Sequence, residues 1–258
     1  MSDKIDYLKN CGTFEHYISL GHCCFVGIEL EQLGLRDTSM PFDWVRTRWK
    51  AIEYSFLNNF KNYLDYDSLY QKRNALHVYK NLAYGVGFVH DFVDYKPLKS
   101  QIKNVQEKYD RRIKRFFYNI TEPTLFVRYM WDYDELIYVA SHYTEIEQMI
   151  KKYNAANEIV FISHDIPKDI DLSTIKLLFF IDKDVNCELN EKPISSNAEL
   201  YSFLSTVEYK KREANFEFNK NKKIKKQENL KTFSGRIKRK FEKLEKSYSK
   251  KYIHDKQC

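Results

Sequence analysis

The sequence has few of the features that mark secreted or membrane-spanning proteins. Its five cysteines are an odd number scattered over 258 residues, unlike the disulfide frameworks of small secreted domains. The first residues, MSDKIDYLKNC, contain no basic segment followed by an apolar one, and the most apolar runs (IVFIS, LLFFI) are far shorter than a membrane span. We therefore expect reduced thiols and a cytoplasmic protein.

Motifs for tightly bound cofactors are also missing. The chain has no Walker A sequence and no GxGxxG run, so a tightly bound nucleotide has no support. Cys23 and Cys24 are adjacent and lack the second pair that a four-ligand zinc site needs. We expect no cofactor and no structural metal.

The composition predicts a packed globular body with a basic appendage. Residues are 43% hydrophobic and 16% aromatic, which excludes disorder of the whole chain. Of 43 Lys+Arg and 36 Asp+Glu, residues 207–258 hold 18 and 7, so the net charge of +7 belongs to the tail and residues 1–206 are net acidic. We expect a catalytic domain over 1–206 and a partly disordered basic tail over 207–258.

Strand-like and helix-like segments alternate along the body. We predict strands at 17–20, 124–129, 158–164 and 176–182, and helices at 25–33, 49–64, 98–120 and 134–154. Residues 65–100 are mixed, with GVGFVHDF as a short strand or loop. Alternation of this kind favours an α/β fold with three layers, in which helices cover both faces of a mostly parallel sheet.

The tail carries a basic amphipathic pattern. Its apolar residues recur at steps of three and four: Phe233, Ile237, Phe241, Leu244 and Tyr248. Such a helix packs its stripe on the body or on a second subunit, or lies on an anionic membrane surface through residues 232–253. Nucleic acid, which Lys-rich tails bind without specificity, is the less favoured partner. The protein is thus cytoplasmic in this prediction, with peripheral membrane attachment as an alternative.

The corner from Gly21 to Cys24 is the segment most suited to chemistry. It joins a predicted strand to a predicted helix, and ligands of α/β proteins bind where strand ends meet helix N-termini. The partial positive charge of a helix N-terminus stabilises a thiolate, which makes Cys24 a candidate nucleophile. A free cysteine is also one of the most frequently buried residue types, so a purely structural corner stays open.

The same corner resembles a known family signature. The pattern is Ser-Leu-Gly-x-x-Cys, then Gly-Leu-Arg, then Pro-Phe-Asp-Trp, and it is matched here by Ser19, Leu20, Gly21, Cys24, Gly34, Leu35, Arg36, Pro41, Phe42, Asp43 and Trp44. Further matches are FVHDF, YDRRIKRF and LFVRY, so the resemblance covers residues 17–140. The sequence is similar to a family whose members are described as papain-like cysteine peptidases.

This resemblance implies roles for several residues. Cys24 is the nucleophile and His90 the general base, with Asp43 or Asp91 orienting the imidazole. His164, at a predicted strand end, and His22, two residues before Cys24, are the other histidines considered. The predicted binding residues are Gly21, His22, Cys23, Asp91, Arg128 and His164. Arg128 either contacts an anionic substrate group or pairs with Asp132 or Asp134.

The family name and the sequence pattern predict different sheets. A papain-like fold places its cysteine helix against a largely antiparallel sheet, whereas strands separated by helices indicate a parallel one. For the fold we follow the pattern, which makes peptide-bond cleavage less secure than the use of a thiol nucleophile.

The sequence therefore predicts a cysteine-dependent hydrolase or acyl-transfer enzyme whose substrate is a peptide, an acyl compound or a glycan. Two alternatives stay open. One is a polysaccharide-modifying or glycosyltransferase-associated protein at the inner membrane face, and the other is a noncatalytic interaction module.

Overall fold

The computed structural model describes residues 3–164, 170–182 and 191–209, together with five single helical residues at 217, 220, 221, 224 and 225. By its internal contacts the chain divides into Met1–Arg212 and Glu213–Cys258, and every element named below lies in the first unit. The boundary after residue 206 stays a prediction, and the amphipathic stretch 232–253 lies outside the described residues. None of the described helices combines the length and apolarity that a membrane crossing requires.

Seven α-helices and eight β-strands form the described part of the chain. The helices are α1 (Asp3–Asn10), α2 (Phe25–Gln32), α3 (Trp49–Leu57), α4 (Leu98–Asn119), α5 (Tyr133–Ser141), α6 (Tyr143–Lys151) and α7 (Ala198–Thr206). The strands are β1 (His16–Ser19), β2 (Val45–Arg46), β3 (Leu69–Gln71), β4 (Tyr79–Asn81), β5 (Val86–Phe88), β6 (Thr124–Tyr129), β7 (Glu158–Ser163) and β8 (Leu178–Phe180).

The first sheet is parallel, with strand order β1-β6-β7-β8. Every residue of β6 and β7 is buried, as expected for parallel strands that are covered on both faces. One face contributes Phe126 and Phe161 to a large aromatic core. The other face contributes Val127 and Val160 to a second core. The predicted parallel sheet is confirmed, and the three-layer arrangement stays a prediction.

A second, antiparallel sheet has the order β2-β5-β4-β3. It is built from residues 45–88, which overlap the mixed segment 65–100. Its strands have two or three residues each, too few for an alternating pattern to stand out. Only β5 falls within a predicted segment, GVGFVHDF, a short strand or loop; the prediction of a mostly parallel sheet misses the other three strands.

Helix α3 ends at Leu57, seven residues before the predicted end at residue 64. Asn59, Phe60 and Asn62 follow with φ of +48°, +56° and +61°. Asparagine tolerates this left-handed region, but phenylalanine rarely adopts it. Burial of the Phe60 ring, which lies 5.3 Å from the ring of Phe42 and 5.8 Å from that of Phe116, offsets the backbone cost.

The helix predicted over 134–154 is two helices. His142, with φ of −124°, separates α5 from α6. Its ring stacks on Tyr138 at 4.1 Å, and its Nδ1 lies 2.9 Å from Tyr138 O. Tyr143 packs against Phe161 of β7. These side-chain contacts, which periodicity does not show, account for the break.

Candidate active site

The chain leaves β1 through a tight corner at Gly21. Pairing with β6 continues past the strand, since Tyr129 N–H donates to Gly21 O over 3.3 Å. Gly21 has φ of +82°, and a Cβ atom there would lie 2.8 Å from Thr47 Oγ1 and 3.2 Å from Arg128 Nη1. Both the backbone conformation and the close approach require glycine.

Arg128 lies at the end of β6 and holds this corner in place. Its side chain is fully buried. Nη1 donates to Leu20 O and Nη2 to Thr47 O, each over 2.8 Å, while Nε and Nη2 donate to Glu135 Oε1 over 2.9 and 2.5 Å. The ion-pair partner is thus Glu135 in α5, next to the two aspartates considered from the sequence. All three guanidinium nitrogens donate within the protein.

His22 is buried beneath the corner. Its Nδ1–H donates to Tyr129 O over 3.2 Å, and its ring packs on Tyr129 and Trp131. Burial, with the nearby Arg128 charge as a smaller cause, lowers the pKa of His22 to about 3. The imidazole is therefore neutral at physiological pH, and its Nε2 is buried without a hydrogen-bond partner.

The two cysteines occupy different environments at the start of α2. Cys23 is only 8% exposed, and burial raises its pKa to about 12. Cys24 is the N-cap residue of α2 and is half-buried. Burial also raises the pKa of Cys24, which the charge of Arg46 opposes and that of Glu191 reinforces. In the free protein, Cys24 is therefore a neutral thiol that sits at the positive end of a helix.

A cavity of about 950 Å³ opens beside Cys24 and is called the cysteine cavity below. It lies between the corner and the antiparallel sheet. Its lining includes both cysteines, the strand β2, residues of β4 and β5, and the turn before β4. Three aromatic side chains, Phe25, Trp44 and Trp131, complete the walls.

His90 lies in this cavity with Cys24, as the predicted pair requires. The imidazole is exposed and meets the Trp44 ring edge-on at 6.1 Å. A second exposed histidine, His77, lines the same cavity from the turn before β4. Sequence reasoning missed His77, because no strand or motif places that turn near residue 24.

The two predicted orienting carboxylates lie elsewhere in the described structure. Asp43 is fully buried and accepts hydrogen bonds from Arg36 Nη1 and Met40 N, each over 2.8 Å. It lies against α2, since a Cβ on Gly27 would be 3.3 Å from its Cγ. Burial raises the pKa of Asp43, and the Arg36 guanidinium opposes that shift.

Asp91 follows His90 in sequence but faces helix α4. It accepts a hydrogen bond from Tyr109 Oη over 2.8 Å and pairs with Lys108 Nζ. The predicted orienting role of Asp43 or Asp91 stays a prediction. His164, the other candidate base, follows β7, and its Nδ1 lies 3.1 Å from Tyr129 Oη. It is not part of the cavity lining.

The cysteine cavity is rich in cations that sequence reasoning did not identify. Arg46, Arg48, Lys72 and Lys80 line it, whereas no Asp or Glu of the described residues does. Arg48 pairs with Asp132, which lies outside the lining, over 2.5 Å. These cations come from separate short strands and a turn, so only the folded sheet brings them together.

Comparison with curated proteins finds a viral relative. An uncharacterised protein of Acanthamoeba polyphaga mimivirus is 30% identical over 122 residues, which cover 39% of this chain and 54% of that protein. The chain thus spans about half the length of the curated relative it matches. No solved structure matches the chain.

A family model matches residues 15–166, more than half of the chain. The match contains the glycine corner, both cysteines, the antiparallel sheet and all of the cavity lining. Its description agrees with the family that the SLGHCC and PFDW segments resemble. The chain belongs to the family described as "Putative papain-like cysteine peptidase (DUF1796)".

Proposed function

We propose that the protein is a cysteine-nucleophile hydrolase or acyl-transfer enzyme in which Cys24 attacks a carbonyl carbon. One observation carries this proposal: Cys24, at the N-terminus of α2, lines the same cavity as two exposed histidines. Membership of a family described as papain-like peptidases supports it. Peptide-bond cleavage is the form of this reaction in which the leaving group is an amine and the acyl acceptor is water.

The neutral thiol determines how the first step proceeds. Because burial raises the pKa of Cys24, little thiolate exists before substrate binds. A base in the cavity removes the Sγ proton as sulfur bonds to the carbonyl carbon. The imidazolium then returns that proton to the leaving amine or alcohol as its bond to carbon breaks. Water, deprotonated by the same imidazole, then attacks the thioester carbon; the carbon–sulfur bond breaks, and the imidazolium returns the proton to Sγ.

His90 is the proposed base, and His77 is its rival within the cavity. His90 is the histidine that the family resemblance assigns, and its contact with Trp44 places it at the cavity wall. The first N–H groups of a helix have no intrahelical partners. Those of α2 lie next to Cys24 and are suited to stabilise the negative oxygen of the tetrahedral intermediate.

Acyl-enzyme trapping tests this assignment without knowledge of the substrate. The full chain is incubated with p-nitrophenyl esters, and the modified cysteines are identified by mass spectrometry. Cys11 is an internal control, because it is also a free, half-buried thiol whose pKa burial raises. We expect Cys24 to acylate much faster than Cys11, and His90→Gln to slow that step by about a hundredfold.

The matched variant His77→Gln should leave acylation unchanged. Loss of the reaction in His77→Gln, with His90→Gln unaffected, would move the base to His77. Equal acylation of Cys24 and Cys11, insensitive to both histidines, would remove the enzyme hypothesis and favour the noncatalytic corner.

A further inference from the structure

We propose that the cysteine cavity contains an anion-binding site between Arg46 and Lys80, which holds a carboxylate or phosphate group of the ligand. That this ligand is the acyl substrate of Cys24 rests on the proposed function. The binding site itself rests on the geometry and charge of the antiparallel sheet.

Strand register places the two cations on one face of that sheet. Arg46 of β2 pairs with Gly87 of β5, and Gly87 pairs with Lys80 of β4. Directly opposed residues share a face, so the three positions form a row across the strands. Their neighbours Val45, Phe88 and Tyr79 belong to the aromatic core on the other face. Arg46 and Lys80 therefore project on the side that lines the cysteine cavity.

Gly87 leaves space between the two cations. Adjacent strands lie about 4.8 Å apart, so the backbones of Arg46 and Lys80 are separated by about 9.6 Å. The centre of the row has no side chain. A Cβ on Gly87 would meet only Arg46, at 3.6 Å from its Cβ and 3.9 Å from its carbonyl oxygen. A carboxylate or phosphate fits above such a glycine, with one cation on each side.

The charge of this wall is not neutralised within the described residues. Arg46 and Lys80 are exposed, and neither forms an ion pair with a carboxylate of the described part. Lys72 adds a third cation to the lining. Glu191, whose negative charge raises the pKa of Cys24, lies outside that lining. An anionic group that enters the cavity therefore meets several uncompensated positive charges next to the cysteine.

This arrangement fits an acyl compound whose anionic group is held by the sheet while its carbonyl reaches Cys24. Contacts remote from the reacting atoms position a substrate for attack. The indole rings of Trp44 and Trp131 supply apolar surface elsewhere in the cavity walls.

Calorimetric titration tests the site with inorganic phosphate and with succinate as probes, and with succinamide as the neutral control. The full chain is compared with Arg46→Gln, Lys80→Gln and Gly87→Val. Lys99→Gln, which removes an exposed lysine of α4, controls for net charge. All titrations are repeated in Cys24→Ala. Because a Lys-rich tail is expected to bind anions without specificity, the differences between variants are the readout.

We expect at least one anion to bind, with about tenfold weaker affinity after loss of either cation. Gly87→Val should abolish this binding and leave the urea-unfolding midpoint little changed, because a Cβ at this position makes only ordinary van der Waals contacts with Arg46. Whichever of phosphate and succinate binds more tightly identifies the anionic group. Lys99→Gln should not change the affinity for either anion, and succinamide should not bind.

Failure of this inference is distinguishable from failure of the proposed function. Anion binding that persists in Cys24→Ala, together with an inert Cys24, would retain the site and remove the enzyme. Conversely, rapid acylation of Cys24 with no anion binding, or with binding that Arg46→Gln, Lys80→Gln and Lys99→Gln weaken equally, would overturn the site alone.

Discussion

Replacing Gly21 by alanine should destabilise the protein far more than the same change at Gly12. The two glycines have nearly the same φ, +82° and +84°, so each alanine incurs a left-handed backbone cost of about 1–2 kcal/mol. Nothing lies within 4 Å of a Cβ at Gly12, whereas one at Gly21 would be 2.8 Å from Thr47 Oγ1. The Gly12 variant therefore isolates the backbone cost.

The additional cost at Gly21 comes from the Arg128 hydrogen bonds. Thr47 Oγ1 accepts from Arg128 Nη1 over 3.0 Å, and moving it away breaks a buried hydrogen bond to a charged group, worth about 1.5–3 kcal/mol. Urea unfolding of both variants should show a difference in unfolding free energy of about 2–3 kcal/mol. Equal losses, within about 0.5 kcal/mol, would show that the corner relaxes freely and that this reasoning is wrong.

Two further predictions concern buried charge near the corner. Burial lowers the pKa of His22 to about 3 in the folded protein, whereas in the unfolded chain it is about 6.5. Between about pH 6.5 and about pH 3 the unfolded chain therefore binds one more proton than the folded protein. The unfolding free energy falls as the pH drops through this range, by about 1.4 kcal/mol per pH unit. Between pH 6.5 and 5, the unfolding free energy should therefore fall by about 1.6 kcal/mol more in the unaltered protein than in His22→Gln. A parallel decline in both would contradict this prediction, and His77→Gln is the control for an exposed imidazole. Glu135→Gln should cost about 3 kcal/mol in urea unfolding, because it leaves the Arg128 charge buried and unpaired; a loss below about 1 kcal/mol would indicate that the pair adds little.

The parallel sheet could be predicted because its two central strands, β6 and β7, are buried throughout. TLFVRY and EIVFISH are mostly apolar runs separated by helical segments; β6 has the predicted bounds, and β7 ends at Ser163, one residue before the predicted end. Apart from the short strand or loop at GVGFVHDF, which holds β5, the antiparallel sheet could not be predicted, since strands of two or three residues carry no period. The early end of α3 depends on the packing of Phe60, and the break after α5 on the contacts of His142, neither of which periodicity shows.

The candidate site was predictable only where chemistry coincides with local sequence. Gly21 and Cys24 stand in one short segment, and the signature around them pointed to the cavity that the fold forms there. Arg46 and Lys80 are 34 positions apart in the chain, and they become neighbours across Gly87 only through strand register. His77 lies in a turn whose position depends on the same sheet.

Arg46 links the two halves of the proposed site. Its positive charge lowers the pKa of Cys24, against the raising effect of burial. An anion bound to Arg46 offsets that charge, so the thiol of the complex is held more firmly in its neutral form. A preformed thiolate is therefore least available when an anionic substrate is bound. If the anion site and the nucleophile serve one reaction, proton transfer from Cys24 must accompany attack, and a base within the cavity is required rather than optional.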